Sequence, residues 1–174
     1  MLGSVKGSGS TPFVVGIFHG LAKPKCASDL LKDFFEEAAA LQLAGLECND
    51  IIYSIKIKAF CCDAPARALI LSVKSHSGYY GCTKCQVKGI WRERVVFLET
   101  DTQLRTNDSF RKQMQAEFYL GNSILEKLEI DMVKGFPLDY MHLCFIGVMR
   151  KLLWCWIKGL LNVRIGANNV ERIP

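Results

Sequence analysis

The sequence predicts an α/β fold with an appended helical part. Three observations carry that expectation: β-rich apolar runs at residues 12–19 and 51–61, an amphipathic helical pattern after each run, and a mostly helical remainder beyond a Cys-x-x-Cys loop. The 174 residues suit a single domain with one core. Half of them are hydrophobic and 22% are charged, the composition of a globular rather than a disordered chain.

Residues 1–11 (MLGSVKGSGST) lack an apolar run and predict a flexible lead-in with no signal peptide. Residues 12–19 (PFVVGIFH) are short, apolar and β-branched, which predicts a strand closed by Gly20. Lys23-Pro24-Lys25 reads as a turn. Ser28 is the expected N-cap of the first helix, with Asp29 in its first turn. Leu30, Leu31, Phe34, Phe35, Ala38 and Leu41 then recur at helical spacing, with Lys32, Asp33, Glu36 and Glu37 on the other side, until Gly45. Ile55, Ile57 and Ala59 alternate with Lys56 and Lys58, making 51–61 the clearest strand. Asp63 follows it. Pro65 suits a first helical turn, and Ala66, Leu69, Ile70 and Val73 make one apolar stripe that should stop by Ser77-Gly78. Residues 91–98 suggest a further strand, and residues 106–116 a polar surface helix capped by Thr106 or Asn107. Pro137 precedes a last long helix from about 138–141 to Gly159, and residues 166–174 form a tail.

The membrane-like stretch 143–161 carries Arg150 and Lys151 near its middle. A bilayer would cost about 2.5–3.5 kcal/mol for each, so a buried helix of a soluble domain is the expectation. Eight cysteines without an export signal predict reduced thiols or metal ligands rather than disulfides. Of these, Cys26, Cys48, Cys61, Cys62, Cys144 and Cys155 are scattered, and most read as small core residues.

Asp63, just past a strand and at the start of a helix, has two readings. It is placed where α/β folds put ligand groups and could hold Mg²⁺, or it caps the helix. Cys82 and Cys85 are half of a tetrahedral zinc site, with a redox pair or two surface thiols as the other readings. Gly81 would help their turn. His142 is the expected third ligand and Asp139, three residues earlier on the same helix face, the fourth; His76 and Cys144 are rivals. The net charge of +5 permits nucleic-acid binding. Lys56, Lys58, Lys74, Lys84, Lys88, Arg92, Arg94, Arg105 and Arg111 gather in the middle of the chain with Tyr79, Tyr80 and Trp91 interleaved. Such a set can be a DNA-backbone surface or a solvated face.

The blocks FCCDAPARALILSVKSHSGYYGCTKC, RVVFLETDTQLRTNDSF and IDMVKGFPLDYMHLCFIGVMRKLL, in that order, resemble the core of eukaryotic cut-and-paste DNA transposases of the CACTA (EnSpm) and Kyakuja-Dileera-Zisupton types. The resemblance covers residues 12–165. It implies a partial RNase H-like fold with a zinc-binding loop and a C-terminal helical part. It also implies a triad of two aspartates and a glutamate that holds two Mg²⁺ ions for DNA cleavage and strand transfer. Asp63 matches the second aspartate. Cys82 and Cys85 match the family's Cys-x-x-Cys, and Asp139 and His142 its Asp-x-x-His element, so the resemblance implies structural zinc.

The first aspartate of that family lies upstream of the segment matching residues 12–19, where this chain has no acid. The glutamate belongs to a helix beyond the match, and Glu171 sits in a tail unlike it. The resemblance therefore implies a fragment or remnant of a transposase, inactive alone, or a domesticated non-catalytic zinc-stabilised module that binds DNA or protein. It implies DNA as partner, is compatible with a homo-oligomer, and suggests a nuclear location. Neither a membrane nor a small-molecule substrate is expected.

Overall fold

The computed structural model describes residues 1–5, 11–22, 24 and 26–166. They fall into two compact units. The first takes in Met1–Phe60 and Ala64–Pro137; the second takes in Cys61–Asp63 and the described residues from Leu138 onward. Lys23 and Lys25 of the expected turn, and the tail from residue 167 with Glu171, lie outside the described residues.

Helices mix with small antiparallel sheets, as the coarse α/β expectation has it. The strands, however, are shorter than the apolar runs that predicted them. Among the described residues they form three separate two-stranded ribbons. β1 (Leu2–Gly3) pairs with β2 (Phe13–Val14), so the lead-in contributes a strand and the 12–19 run pairs at two residues only. β3 (Leu46–Cys48) pairs with β4 (Ile51–Tyr53) through a tight turn at Asn49 and Asp50. Both turn residues have positive φ, 51° and 61°, a conformation that Asn and Asp tolerate and that matches strand twist. Residues 54–63 are in no strand, so the expected strand 51–61 exists only in its first turn-proximal part. The expected strand 91–98 instead reverses at Glu93 (φ 59°), giving the hairpin of β5 (Ile90–Arg92) and β6 (Arg94–Val96). Alternation reports which side chains share a face; it does not supply the partner strand that pairing needs.

α1 (Ala27–Ala44) has the expected extent and ends on Gly45, whose φ of 78° is left-handed. Its cap residue is Cys26, not Ser28. Leu31 and Ala38 are buried, and Phe34, Phe35 and Ala39 pack beside them, the face that periodicity predicted.

α2 (Ala64–Ile70) starts directly after Asp63 but stops well short of Ser77. Ser72 takes a left-handed φ of 54°. The Val73 N–H reaches the Ala68 carbonyl at 3.0 Å and the Ser72 N–H that of Leu69 at 3.1 Å. These two bonds are the Schellman ending of a helix, with Ser where glycine is usual. Freed from the helix, Val73 bridges to Tyr119, and the Leu120 N–H bonds the Ser72 carbonyl at 2.8 Å. Val73 is 1% exposed, so the strand-like bridge satisfies the same burial that the helical stripe anticipated.

The expected polar surface helix at 106–116 is a correction. α3 spans only Asn107–Arg111, with Thr106 as its cap: Thr106 Oγ1 accepts from the Ser109 N–H at 3.0 Å, and the Thr106 N–H donates to Ser109 Oγ at 2.9 Å. Phe110 within it is 2% exposed. It packs edge-on against Phe118 and Tyr119 with ring centres 6.2 and 5.3 Å apart. Together with Leu71, Val73, Leu125, Met132 and Phe136 these rings form the core of the first unit. Each such side chain contributes about 1.5–3 kcal/mol on full burial.

Much of the core's outer wall, residues 123–137, is irregular apart from the short 3-10 turn Ile124–Lys127. Buried carbonyls need donors, and cationic side chains supply them. Arg111 Nη2 donates to the carbonyls of Leu128 (3.4 Å) and Ile130 (3.0 Å), and Arg111 Nη1 to that of Glu126. Arg67 Nη1 donates to the Pro137 carbonyl at 3.0 Å. Asn107 Oδ1 accepts from the Met132 N–H at 2.9 Å.

In the second unit, a π-helix at Met141–Met149 runs on into α4 (Arg150–Lys158), which ends at Gly159. The boundaries match the expectation, but the burial does not: no residue of either helix is buried. No helix among the described residues is long and apolar enough to cross a membrane. Nor do the six scattered cysteines fill the core. Cys26, Cys48 and Cys61 are exposed, and Cys62, Cys144 and Cys155 are half-buried.

Candidate functional site

The cysteine loop is built from the residues around it. Gly81 permits the approach to the preceding turn: a Cβ there would stand 2.4 Å from the Ser75 carbonyl oxygen and 2.9 Å from the His76 backbone. The Gly81 N–H bonds the Gly78 carbonyl at 3.0 Å. The chain then turns so that the N–H groups of Lys84 and Cys85 both point at Cys82 Sγ, each 3.4 Å away. Cys85 Sγ lies 3.3 Å from Cys82 Sγ, the reach of a thiol–thiolate hydrogen bond. Both sulfurs are half-buried.

The two thiols are unequal. Burial pushes Cys82 up, and Cys85 adds to the rise. Burial also acts upward on Cys85, but hydrogen bonds from the Thr102 hydroxyl, the Val87 N–H and Cys82, with the Arg105 charge nearby, outweigh it and lower that thiol. Donors that favour a thiolate reach both sulfurs: the N–H groups of Lys84 and Cys85 at Cys82, and the Thr102 hydroxyl and Val87 N–H at Cys85. Two sulfurs so placed fit two of the four positions of a tetrahedral thiolate site.

The loop is fastened on both sides. Arg105 Nε donates to the Cys82 carbonyl at 3.1 Å, and the guanidinium lies 3.7 Å above the Phe118 ring. The Arg105 N–H bonds the Lys84 carbonyl at 2.9 Å, and the Gln86 N–H that of Gln103 at 2.9 Å. Lys84 Nζ donates to the carbonyls of Val133 (2.6 Å) and Phe136 (2.8 Å). Lys84 therefore serves the fold, a correction to its place among the DNA-facing cations. Arg105, one of the middle-chain cations, is tied to this loop rather than to a basic face, and no sequence signal points to Thr102. They lie some twenty residues beyond the cysteines, and no spacing rule joins them.

In the second unit, Asp139 and His142, expected as ligands of one ion, are bonded to each other. The imidazole Nδ1 is hydrogen-bonded to Asp139 Oδ2. Asp139 Oδ1 accepts from the N–H groups of Met141 (2.9 Å) and His142 (3.4 Å), at the start of the long helix. The bond to His142, helped by those N–H groups, holds the Asp139 carboxyl below the usual carboxylate range. With both its oxygens engaged in its own turn, Asp139 is a capping and orienting group, and Nε2 of His142 is the atom left for a ligand.

Asp63, also in the second unit, precedes α2 directly and is half-buried. His76 is exposed in the first unit, its Nδ1 3.5 Å from Ser75 Oγ, and Cys144 is half-buried on the long helix. Among the described residues no group of three or more His, Cys, Asp or Glu side chains is gathered to hold a metal ion. Of the expected ligands, then, the structure pairs Cys82 with Cys85 and Asp139 with His142. Lys74, Lys88, Arg92 and Arg94 are exposed.

No family model, no curated protein and no solved structure matches this chain.

Proposed function

We propose that this chain is a piece of the catalytic core of a eukaryotic cut-and-paste DNA transposase of the CACTA (EnSpm) or Kyakuja-Dileera-Zisupton type. It binds zinc through Cys82 and Cys85, binds DNA, and does not cleave DNA by itself. The fold this reading implies is a partial RNase H-like one, and the implied location is the nucleus. The observation that carries it is the cysteine pair: two sulfurs 3.3 Å apart, backed by N–H donors, on a loop that follows α2, the helix directly after Asp63. The ordered blocks of the sequence resemblance support it, as does the Asp139–His142 pair.

Zinc, when bound, supplies a tetrahedral crosslink that stabilises rather than catalyses. Thiolate formation at Cys85 is favoured by Thr102, the Val87 N–H and Arg105, so this chain's own residues prepare the ligand. Magnesium chemistry is a different matter. Two-metal phosphoryl transfer needs several carboxylates acting as a unit, and of the family's triad this chain matches Asp63 alone.

Metal analysis with a DNA assay tests the reading. The expected result is roughly one zinc ion per chain, lost in Cys82→Ser together with a lowered melting temperature. DNA retardation should weaken steeply as salt rises, with no Mg²⁺-dependent nicking of plasmid. Unchanged metal content and melting in Cys82→Ser would remove the zinc. Nicking that vanished in Asp63→Ala would overturn the inactivity.

A further inference from the structure

We propose that the β5–β6 hairpin is a DNA-gripping ribbon whose tip takes an unpaired strand, with phosphates on Arg92 and Arg94 and a base stacked on Trp91. The inference rests on the reading that DNA is the partner; it adds the element that binds and the form of DNA bound.

The register carries the argument. Arg92 lies directly opposite Arg94 at the tip. Like charges facing across a strand pair destabilise it, so the ribbon holds an unfavourable juxtaposition that an anion between them would relieve. Glu93, in the turn between them, is the one acidic residue of the stretch 88–96, against Lys88, Arg92 and Arg94. Among the described residues neither guanidinium has a hydrogen-bond or ion-pair partner. This contrasts with Arg67, Arg105 and Arg111, whose guanidinium groups all bond carbonyls of the fold.

Trp91, on the other face of the same ribbon, is 65% exposed. A bare indole beside cations is a stacking platform for bases, and every base has a π-face to offer it. The ribbon is one layer thick, so a strand crossing its tip meets both the guanidinium face and the indole. Bases are available for stacking only where they are unpaired, which selects single-stranded over duplex DNA.

The root is held in place. The Gly89 N–H bonds the Tyr79 carbonyl at 2.6 Å, and a Cβ at Gly89 would stand 2.4 Å from a Val95 methyl. Lys88 Nζ sits 5.7 Å over the Tyr80 ring. The hairpin springs from the cysteine loop, whose bonds to Gln103 and Arg105 close its base. A rigid root under a charged, aromatic tip suits the positioning of a strand.

The test uses the full chain and fluorescence anisotropy with a labelled oligothymidylate and a duplex of the same length, across a salt series. The wild type should prefer the single strand. Arg92→Ala/Arg94→Ala should flatten the salt slope by about 1.4, at roughly 0.7 for each phosphate released. Trp91→Ala should weaken binding roughly fivefold to a hundredfold, with Trp91→Phe retaining most of it. Glu93→Gln should tighten binding. All four positions are exposed, and an unchanged thermal transition verifies that each variant folds. Wild-type binding with an unaltered slope in the double arginine variant would overturn the hairpin while leaving the DNA reading intact. Equal affinity for polyglutamate would reduce it to polyanion exchange and overturn it too. No binding to either DNA at low salt would sink both.

Discussion

The Lys84 ammonium lies 2.8 Å from the Phe136 carbonyl oxygen, which joins the residue between the two loop cysteines to the far wall of the core. A second bond, to the Val133 carbonyl at 2.6 Å, makes the lysine a two-point tie. Burial and the nearby Arg67 charge lower its pKa, while Asp131 acts in the opposite sense. Lys84→Met keeps the stem and removes both donors. It should destabilise the chain by about 1–3 kcal/mol in urea unfolding, because two carbonyls lose their partner. The salt slope of DNA binding should stay as in the wild type. A flattened slope would return Lys84 to the DNA-facing set.

Gly81→Ala should be costly for a different reason. The added methyl would meet backbone atoms of Ser75 and His76, which cannot swing aside as a side chain can. Overpacking of this kind costs about 1–3 kcal/mol. The cysteine loop should shift with it, so zinc affinity should fall alongside the melting temperature. Unchanged zinc affinity would mean that the loop holds its shape without that close approach.

The Asp139 cap gives an acid-sensitive element. Its carboxyl is held low by His142, so the ionised form is the stabilising one. That contribution is fully present above the unfolded-state value of about 3.9 and is lost as pH falls through the lower folded value. Thermal melts followed by circular dichroism from pH 7 to pH 2 should therefore fall less steeply on the acid side in Asp139→Asn. Identical acid limbs would deny the carboxylate its role at the head of the long helix.

Cys26 should be the first thiol to react. It occupies the cap position of α1 without a cap bond of standard geometry. Yet the N–H groups of Asp29 and Ser28 face its sulfur and lower its pKa, against small opposing effects of desolvation and the Asp29 charge. It is exposed as well. Limited iodoacetamide at neutral pH, mapped by peptide mass spectrometry, should label Cys26 ahead of the other seven cysteines. Earlier labelling of Cys48 or Cys61, which are exposed too, would show that the helix end does not activate it.

How far the sequence could be read depended on the range of the interaction involved. α1 was legible in full because the 3.6-residue period, Asp29 and Gly45 are all local signals. Thr106 as a cap, the Asp139–His142 pair and the limits of the last helix were legible for the same reason. A run such as 51–61 reports alternation and not whether a partner lies alongside, so the strands are shorter than their runs. The hairpin at Asn49-Asp50 lies before the alternating run, which begins at Ile51, although both residue types favour such a turn. The polarity of residues 106–116 points to the surface, while one ring, Phe110, decides their burial.

The sequence by itself determined the α/β mixture, the first helix, the cysteine spacing and the carboxylate–imidazole pair, since each depends on residues within a few positions of one another. Tertiary structure alone decided the rest. It ended α2 at Ile70 so that Val73 could be buried beside Tyr119, and it brought Thr102 and Arg105 to the cysteines. It turned Lys84 inward and left Arg92 and Arg94 outward, although all three are cations in one stretch of chain. The physical reason is that a charge is kept from solvent only where carbonyls lack other donors, and which carbonyls those are is settled by how the chain packs.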